Sequence, residues 1–154
     1  MSAARPGNDR LARLARLRAS LAASELEALL VTSLPNIHWL TGFSGSNAMV
    51  VVTPDECVLL TDFRYAAQVK LEVASSVRVV IETASLWTAL WGALRAMPAV
   101  GVLAFESAHV THQDSARFLD PAGDGARWRW RPALNLVEAL RESKDPGEIA
   151  LIRE

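Results

Sequence analysis

Apolar and polar positions alternate between a three-to-four-residue period and short continuous apolar runs along the 154-residue chain. Leu11, Leu14, Leu17 and Leu21 form one stripe, with Arg10, Arg13, Arg16 and Arg18 mostly off it. That spacing predicts an amphipathic helix packed on a sheet, with Asn8 as its cap. Ala28–Thr32 predicts a short buried strand. Leu34–Gly42, broken by Pro35 and Gly42, predicts a turn or a short helix. Ala48–Thr53 and Cys57–Thr61, separated by Pro54-Asp55-Glu56, predict the two strands of a hairpin.

The second half continues the alternation. Asp62–Ala74 predicts a helix capped by Asp62, and Val77–Ile81 a strand. Ser85 caps a helix over Leu86–Met97, whose Leu86, Leu90, Ala93 and Leu94 share a face and which Pro98 stops. Val100–Phe105 is strand-like, and Thr111 caps a helix reaching Leu119. Arg127–Arg131 predicts a half-buried strand with Trp128 and Trp130 inward and the arginines outward. Asn135–Glu142 predicts a short helix. Asp145-Pro146-Gly147-Glu148 carries a reciprocal capping box with Pro at the first helical position. The alternation predicts an α/β fold: a mixed, mainly parallel sheet with helices on both faces. A helix started at Asp145 and cut off at Glu154 would be marginal in isolation. The chain is therefore expected to be cut from a longer one where a second domain begins.

Composition narrows the function classes. With 51% hydrophobic and 21% charged residues, the chain is neither disordered nor of low complexity. A net charge of −1 argues against a nucleic-acid binder that relies on a large basic excess. Cys57 is the single cysteine, which excludes an intramolecular disulfide and a cysteine-based zinc cluster. The N-terminus lacks a signal-peptide pattern, and no stretch approaches the roughly 18 apolar residues of a membrane helix. The expectation is a cytoplasmic protein with no membrane and no nucleic-acid partner.

No self-sufficient catalytic set stands out. His109 and His112 are three residues apart, but without a completing cysteine or carboxylate cluster they read as solvated loop histidines. Gly42-Phe43-Ser44-Gly45-Ser46 is followed by a strand, not by the helix a phosphate cradle requires. The same loop is the best candidate binding element, because it gathers Asn36, His38, Trp39 and Phe43 between Pro and Gly. Trp39 could stack on a proline ring, and His38 could hydrogen-bond a carboxylate or a chain terminus. His38 reads equally well as solvated, and Phe43 reads better as core packing. Arg64 pairs with Asp62 or Glu72 in the simplest reading. Trp87 with Trp91, and Trp128 with Trp130, read as core aromatics.

Three stretches together resemble a known family. Leu34-Pro35-Asn36-Ile37-His38-Trp39-Leu40-Thr41-Gly42-Phe43-Ser44-Gly45-Ser46-Asn47 resembles the N-I-x-Y-L-T-G-F-x-G-S signature of creatinase/prolidase-type N-terminal domains. Leu60-Thr61-Asp62-Phe63-Arg64-Tyr65 resembles the T-D-x-R-Y that follows it in bacterial Xaa-Pro peptidases. Leu140–Ile149 resembles their interdomain boundary, L-R-x-x-K-[DS]-x-x-E-[IL]. His38 and Trp39 depart from the more usual Arg-like residue and Tyr. The resemblance implies a ribonuclease H-like domain over residues 10–143, preceded by a disordered tail over 1–9. Residues 144–154 would start the helix leading into an absent C-terminal metallopeptidase domain. That domain would hold two divalent ions (Mn, Co or Zn) and cleave Xaa-Pro bonds, while this chain holds no metal and no catalytic residue. The implied roles of this chain are homodimer formation and a loop sent toward the partner subunit's active site, where Asn36, His38, Trp39, Phe43 and Arg64 would meet a proline-containing peptide. A peptidase-like module that binds peptides or proteins without cleaving them is the alternative, and a creatinase-type amidinohydrolase is a third option.

Overall fold

The computed structural model describes residues 6–153. The first helix, α1 (Pro6–Ala23), starts earlier than its leucine stripe predicts. Residues 6–9 of the expected tail are therefore helical, Asn8 lies inside the first turn, and residues 1–5 lie outside the described residues. In chain order follow β1 (Ala28–Val31), α2 (Leu34–Thr41), β2 (Ala48–Val52), β3 (Cys57–Asp62), a 3₁₀ turn (Phe63–Tyr65), α3 (Ala66–Glu72) and β4 (Arg78–Glu82). Then come α4 (Leu86–Arg95), β5 (Val102–Glu106), α5 (His112–Leu119), a second 3₁₀ turn (Asp124–Arg127), β6 (Arg129–Ala133), α6 (Leu136–Glu142) and α7 (Pro146–Ile152).

The six strands form one sheet in the order β4-β3-β2-β1-β5-β6. β2 runs antiparallel to both of its neighbours, with Leu30 opposite Val51 and Val50 opposite Leu59. The other pairings, β1 with β5, β3 with β4 and β5 with β6, are parallel. The sheet is thus mixed and mainly parallel, as the alternation of elements predicts.

Both faces are covered, which is why the central strands read as continuous apolar runs and not as alternation. On one face Leu14, Leu17 and Leu21 of α1 pack with Ile37 and Leu40 of α2 over Leu29, Val31, Val50 and Leu59. On the other, Leu90 and Leu94 of α4 pack over Leu30, Val51, Val58 and Leu103. Each such fully buried leucine stabilises the fold by about 1.5–3 kcal/mol relative to exposure.

The predicted caps other than Asn8 form. Ser85 accepts the Trp87 N–H, Thr111 the Asp114 N–H and Asp62 the Arg64 N–H. The Asp145–Glu148 capping box is complete in both directions. Three expected strand starts move by one or two residues, to Arg78, Val102 and Arg129, and the last follows a 3₁₀ turn that the sequence pattern does not announce. Gly125 in that turn sits so tightly against Phe118 that a Cβ there would lie 2.6 Å from the Phe118 Cβ. The Trp130 indole N–H then donates to the Gly125 carbonyl at 2.8 Å. Trp91 stacks on Trp128 with centroids 5.9 Å apart, so the tryptophans do join one cluster.

Candidate functional site

The N-terminus of α2 is held by a residue from another strand. Ser33 makes no side-chain cap there. Instead the buried Glu106, at the carboxyl end of β5, accepts the N–H groups of Thr32 (2.7 Å) and Ser33 (2.8 Å) on one oxygen. Its other oxygen accepts from Asn36 Nδ2 at 2.6 Å. The Glu106 oxygens thus serve as acceptors for backbone N–H groups at the helix start, where donors have no intrahelical partner. Asn36 Nδ2 also donates to Glu138 at 2.8 Å, and Arg141 donates to Asn36 Oδ1 at 2.9 Å. His109 Nε2 lies 3.3 Å from Glu138. Burial pushes the Glu106 carboxyl above its ordinary value, against the pull of its three donors. At Glu138 burial also pushes upward, but the bonds from Asn36 and His109 outweigh it and hold the carboxyl low.

One helical turn on, α2 faces a cleft of about 500 Å³ lined by Arg10, Arg13, His38, Trp39, Arg141 and Glu148 among others. Arg13 organises its wall. It donates from Nε to Asp145 Oδ2 at 2.8 Å and from Nη1 to the Trp39 carbonyl at 2.8 Å. Its guanidinium also lies over the Trp39 ring, 4.8 Å from the centroid. The Trp39 Nε1–H donates to Glu148 at 3.0 Å. At Asp145 the cost of burial is overcome by the Glu148 N–H and by Arg13, so the carboxyl sits below its usual range. The Nε of Arg10 is buried without a hydrogen-bond partner among the described residues. Arg10, Arg13 and Arg141 share this cleft with the carboxylates of Asp9 and Glu148, and Arg13 is already paired to Asp145 while Arg141 donates to Asn36.

The predicted residues separate into two kinds. Asn36 and Phe43 are buried: Asn36 is the hub of the polar network, and Phe43 meets Tyr65 edge-on at 5.3 Å. They support α2 from below instead of facing solvent. His38 is exposed on α2, while Trp39 is only 6% exposed because Arg13 and Glu148 cover it. Of the turn or short helix expected for this segment the structure has the helix, with Pro35 in the first turn, where its missing N–H costs nothing. Arg64 lies outside the cleft, paired to Asp62 by two bonds of 2.9 Å. Those bonds, with that from Asn47, hold the Asp62 carboxyl far below the usual range. The glycine-rich stretch is a structural entry to β2: Ser44 donates to Glu72, and Ser46 N–H to the Tyr65 hydroxyl. Composition and periodicity singled out none of Arg13, Glu106, Glu138 or Arg141. Among the described residues, no three His, Cys, Asp or Glu side chains come together in a way that could hold a metal ion.

Known proteins resemble this chain over most of its length. The sequence profile of the Creatinase/Prolidase N-terminal domain matches residues 13–145. The "uncharacterized peptidase YqhT" of Bacillus subtilis (strain 168) is 28% identical over 147 residues. That match covers 92% of this chain and 39% of the Bacillus protein, so the chain spans about two fifths of that relative's length. Among solved structures, the N-terminal domain of the cytoplasmic peptidase PepQ from Mycobacterium tuberculosis H37Rv is 35% identical with a TM-score of 0.71. The match covers 84% of this chain and 98% of that one. An "XXA-pro aminopeptidase" chain from Streptococcus pyogenes is 30% identical with a TM-score of 0.76, covering 87% and 98%. A Bacillus anthracis Xaa-Pro dipeptidase, at 19% identity and TM-score 0.80 over 92% of this chain and 38% of that one, shares the fold.

Proposed function

The chain belongs to the creatinase/prolidase N-terminal domain family, and from that premise we propose that it is the non-catalytic N-terminal domain of an Xaa-Pro peptidase. The observation that carries this reading is the nearly end-to-end match to the N-terminal domain of the mycobacterial peptidase. In this reading the parent is a cytoplasmic homodimer that hydrolyses the bond before proline. Its C-terminal domain supplies the two divalent ions, Mn, Co or Zn. The donor set of the described residues does not fit such a centre, so no step of the hydrolysis is assigned to this chain.

The role of the domain is positional. The network of Glu106, Asn36 and Glu138 fixes α2 to the sheet end, and the buried Phe43 anchors the segment between α2 and β2. The exposed His38 is then presented to the carboxylate or terminus of a peptide in the partner subunit's site. Trp39 lines the same cleft beside Arg13, whereas Arg64 stays paired to Asp62 outside it. Incubated with an Xaa-Pro dipeptide and Mn²⁺, the 154-residue chain releases no proline above a metal-only blank, whereas the longer gene product does. Turnover by the chain alone overturns the reading, and so does an inert longer product, which would instead favour a binding module without catalysis. In that longer product His38→Ala raises KM roughly two- to tenfold, the worth of one hydrogen bond, with kcat little changed. An unchanged KM removes His38 from the substrate's surroundings.

A further inference from the structure

The two edges of the sheet are built differently. At one edge β6 reads Arg129-Trp130-Arg131-Pro132-Ala133. Pro132 lacks an N–H, and two arginines repel a like strand, so this edge is protected against pairing. At the other edge β4 reads Arg78-Val79-Val80-Ile81-Glu82, with no proline and no bulge, and it pairs only with β3. Its outer row of main-chain groups has no strand partner among the described residues.

The β4 sequence is complementary to itself. Laid antiparallel to a second copy and centred on Val80, it sets Arg78 opposite Glu82 of that copy and Glu82 opposite its Arg78. Val79 then faces Ile81, and Val80 faces Val80. Side chains directly opposite across an antiparallel pair interact, and opposite charges there are favourable. Both charges lie on the face that Val80 shares with the α4 layer. Glu82 is kept ionised by the N–H groups of Ala84 and Thr83. Arg78 now reaches Glu56 at 3.3 Å, a half-exposed pair that is cheap to exchange. The segments leading into this edge also carry large exposed apolar groups: Phe63 is 62% exposed, Leu71 88% and Ile81 39%. Monomeric proteins blunt such an edge.

We propose that β4 is a self-recognition edge, on which a second copy of this chain adds its own β4 antiparallel about a two-fold axis at Val80, making one continuous twelve-stranded sheet. This assigns a surface to the homodimer proposed above and rests on that part of the reading.

The test is light scattering and sedimentation of the 154-residue chain across a concentration series, combined with oxidative cross-linking. The wild-type chain dimerises. Arg78→Glu, which sets Glu against Glu twice per dimer, weakens association roughly tenfold or more. Glu82→Arg does the same, and the double reversal R78E/E82R restores association to near the wild-type value. Because Cys57 is the single cysteine and is buried, Val80→Cys gives one new thiol placed across the axis from its twin. It cross-links under mild oxidation, whereas Ile81→Cys, facing Val79 of the other copy, does not. Circular dichroism on each variant separates lost association from lost folding, and the rescue by the double reversal holds only if the variants fold. A dimer that tolerates R78E and does not cross-link through Cys at position 80 overturns this surface and leaves the homodimer standing. A chain that stays monomeric at every concentration overturns both, without touching the peptidase reading.

Discussion

Glu106 makes the most consequential single contact in the molecule, because it closes one helix from a strand about seventy residues away. Its replacement by Gln keeps an acceptor for Thr32 and Ser33 but turns an amide N–H₂ toward Asn36 Nδ2, which is itself a donor. We expect E106Q to cost about 1–3 kcal/mol in equilibrium urea denaturation, the range for a mispaired buried polar group. The pH dependence carries a sign. Burial raises this carboxyl, so the folded chain holds its proton more tightly than the unfolded chain. Its contribution to stability therefore falls as pH rises from the ordinary carboxyl range through the raised value. The wild-type stability relative to E106Q should decline over that interval, and a flat difference would show that Glu106 does not titrate there. At Trp39, substitution by Phe keeps an aromatic under Arg13 and removes only the donor to Glu148. The expected loss is about 1 kcal/mol by the same measurement.

At the scale of elements, α2 and α7 are the two whose ends are most specifically built. α2 ends at Gly42 with φ +86°, in the left-handed region that favours glycine. A Cβ there would also lie 2.5 Å from the Glu72 carbonyl oxygen. Gly42→Ala should destabilise the chain by about 1–3 kcal/mol, visible as a lower denaturation midpoint with an unchanged slope. α7 is too short to stand by itself, and its start is tied to α1 through Arg13 and to α2 through Trp39. Asp145→Ala removes both its cap and the Arg13 partner. Amide exchange at Glu148 and Ile149, whose N–H groups bond Asp145, should then accelerate while β1 and β5 keep their protection.

For the whole molecule, the reversal of β2 decides where everything else goes. With β2 antiparallel between β1 and β3, the chain fills one half of the sheet first, ending at edge β4, and α4 then carries it back across to β5. That path leaves β4 as an outer strand with an open side and brings Glu106 beside Thr32. If β4 joins two copies, the thermal midpoint of the wild-type chain rises with protein concentration, since association stabilises the folded state by mass action. Ile81→Lys should abolish that concentration dependence while leaving the dilute-limit midpoint nearly unchanged, because Ile81 is exposed in the single chain.

The sequence by itself determined the elements. The leucine stripe of α1, the apolar runs of β2 and β3, and the caps at Ser85, Thr111 and Asp145 are local chemistry. A helix period, a strand run or a cap involves residues a few positions apart. Only the tertiary structure decided which side chains of the signature stretch face outward. Asn36 looked like a binding group because it is polar between Pro35 and Gly42, yet Glu106, Glu138 and Arg141 draw it inward. Trp39 is covered because Arg13 and Glu148 arrive from α1 and α7. These partners are distant in the chain, and burial is set by which segments the sheet order brings together. Periodicity in one segment carries no record of that, and for the same reason it could mark Arg78 and Glu82 as charged without revealing that they stand at an open edge.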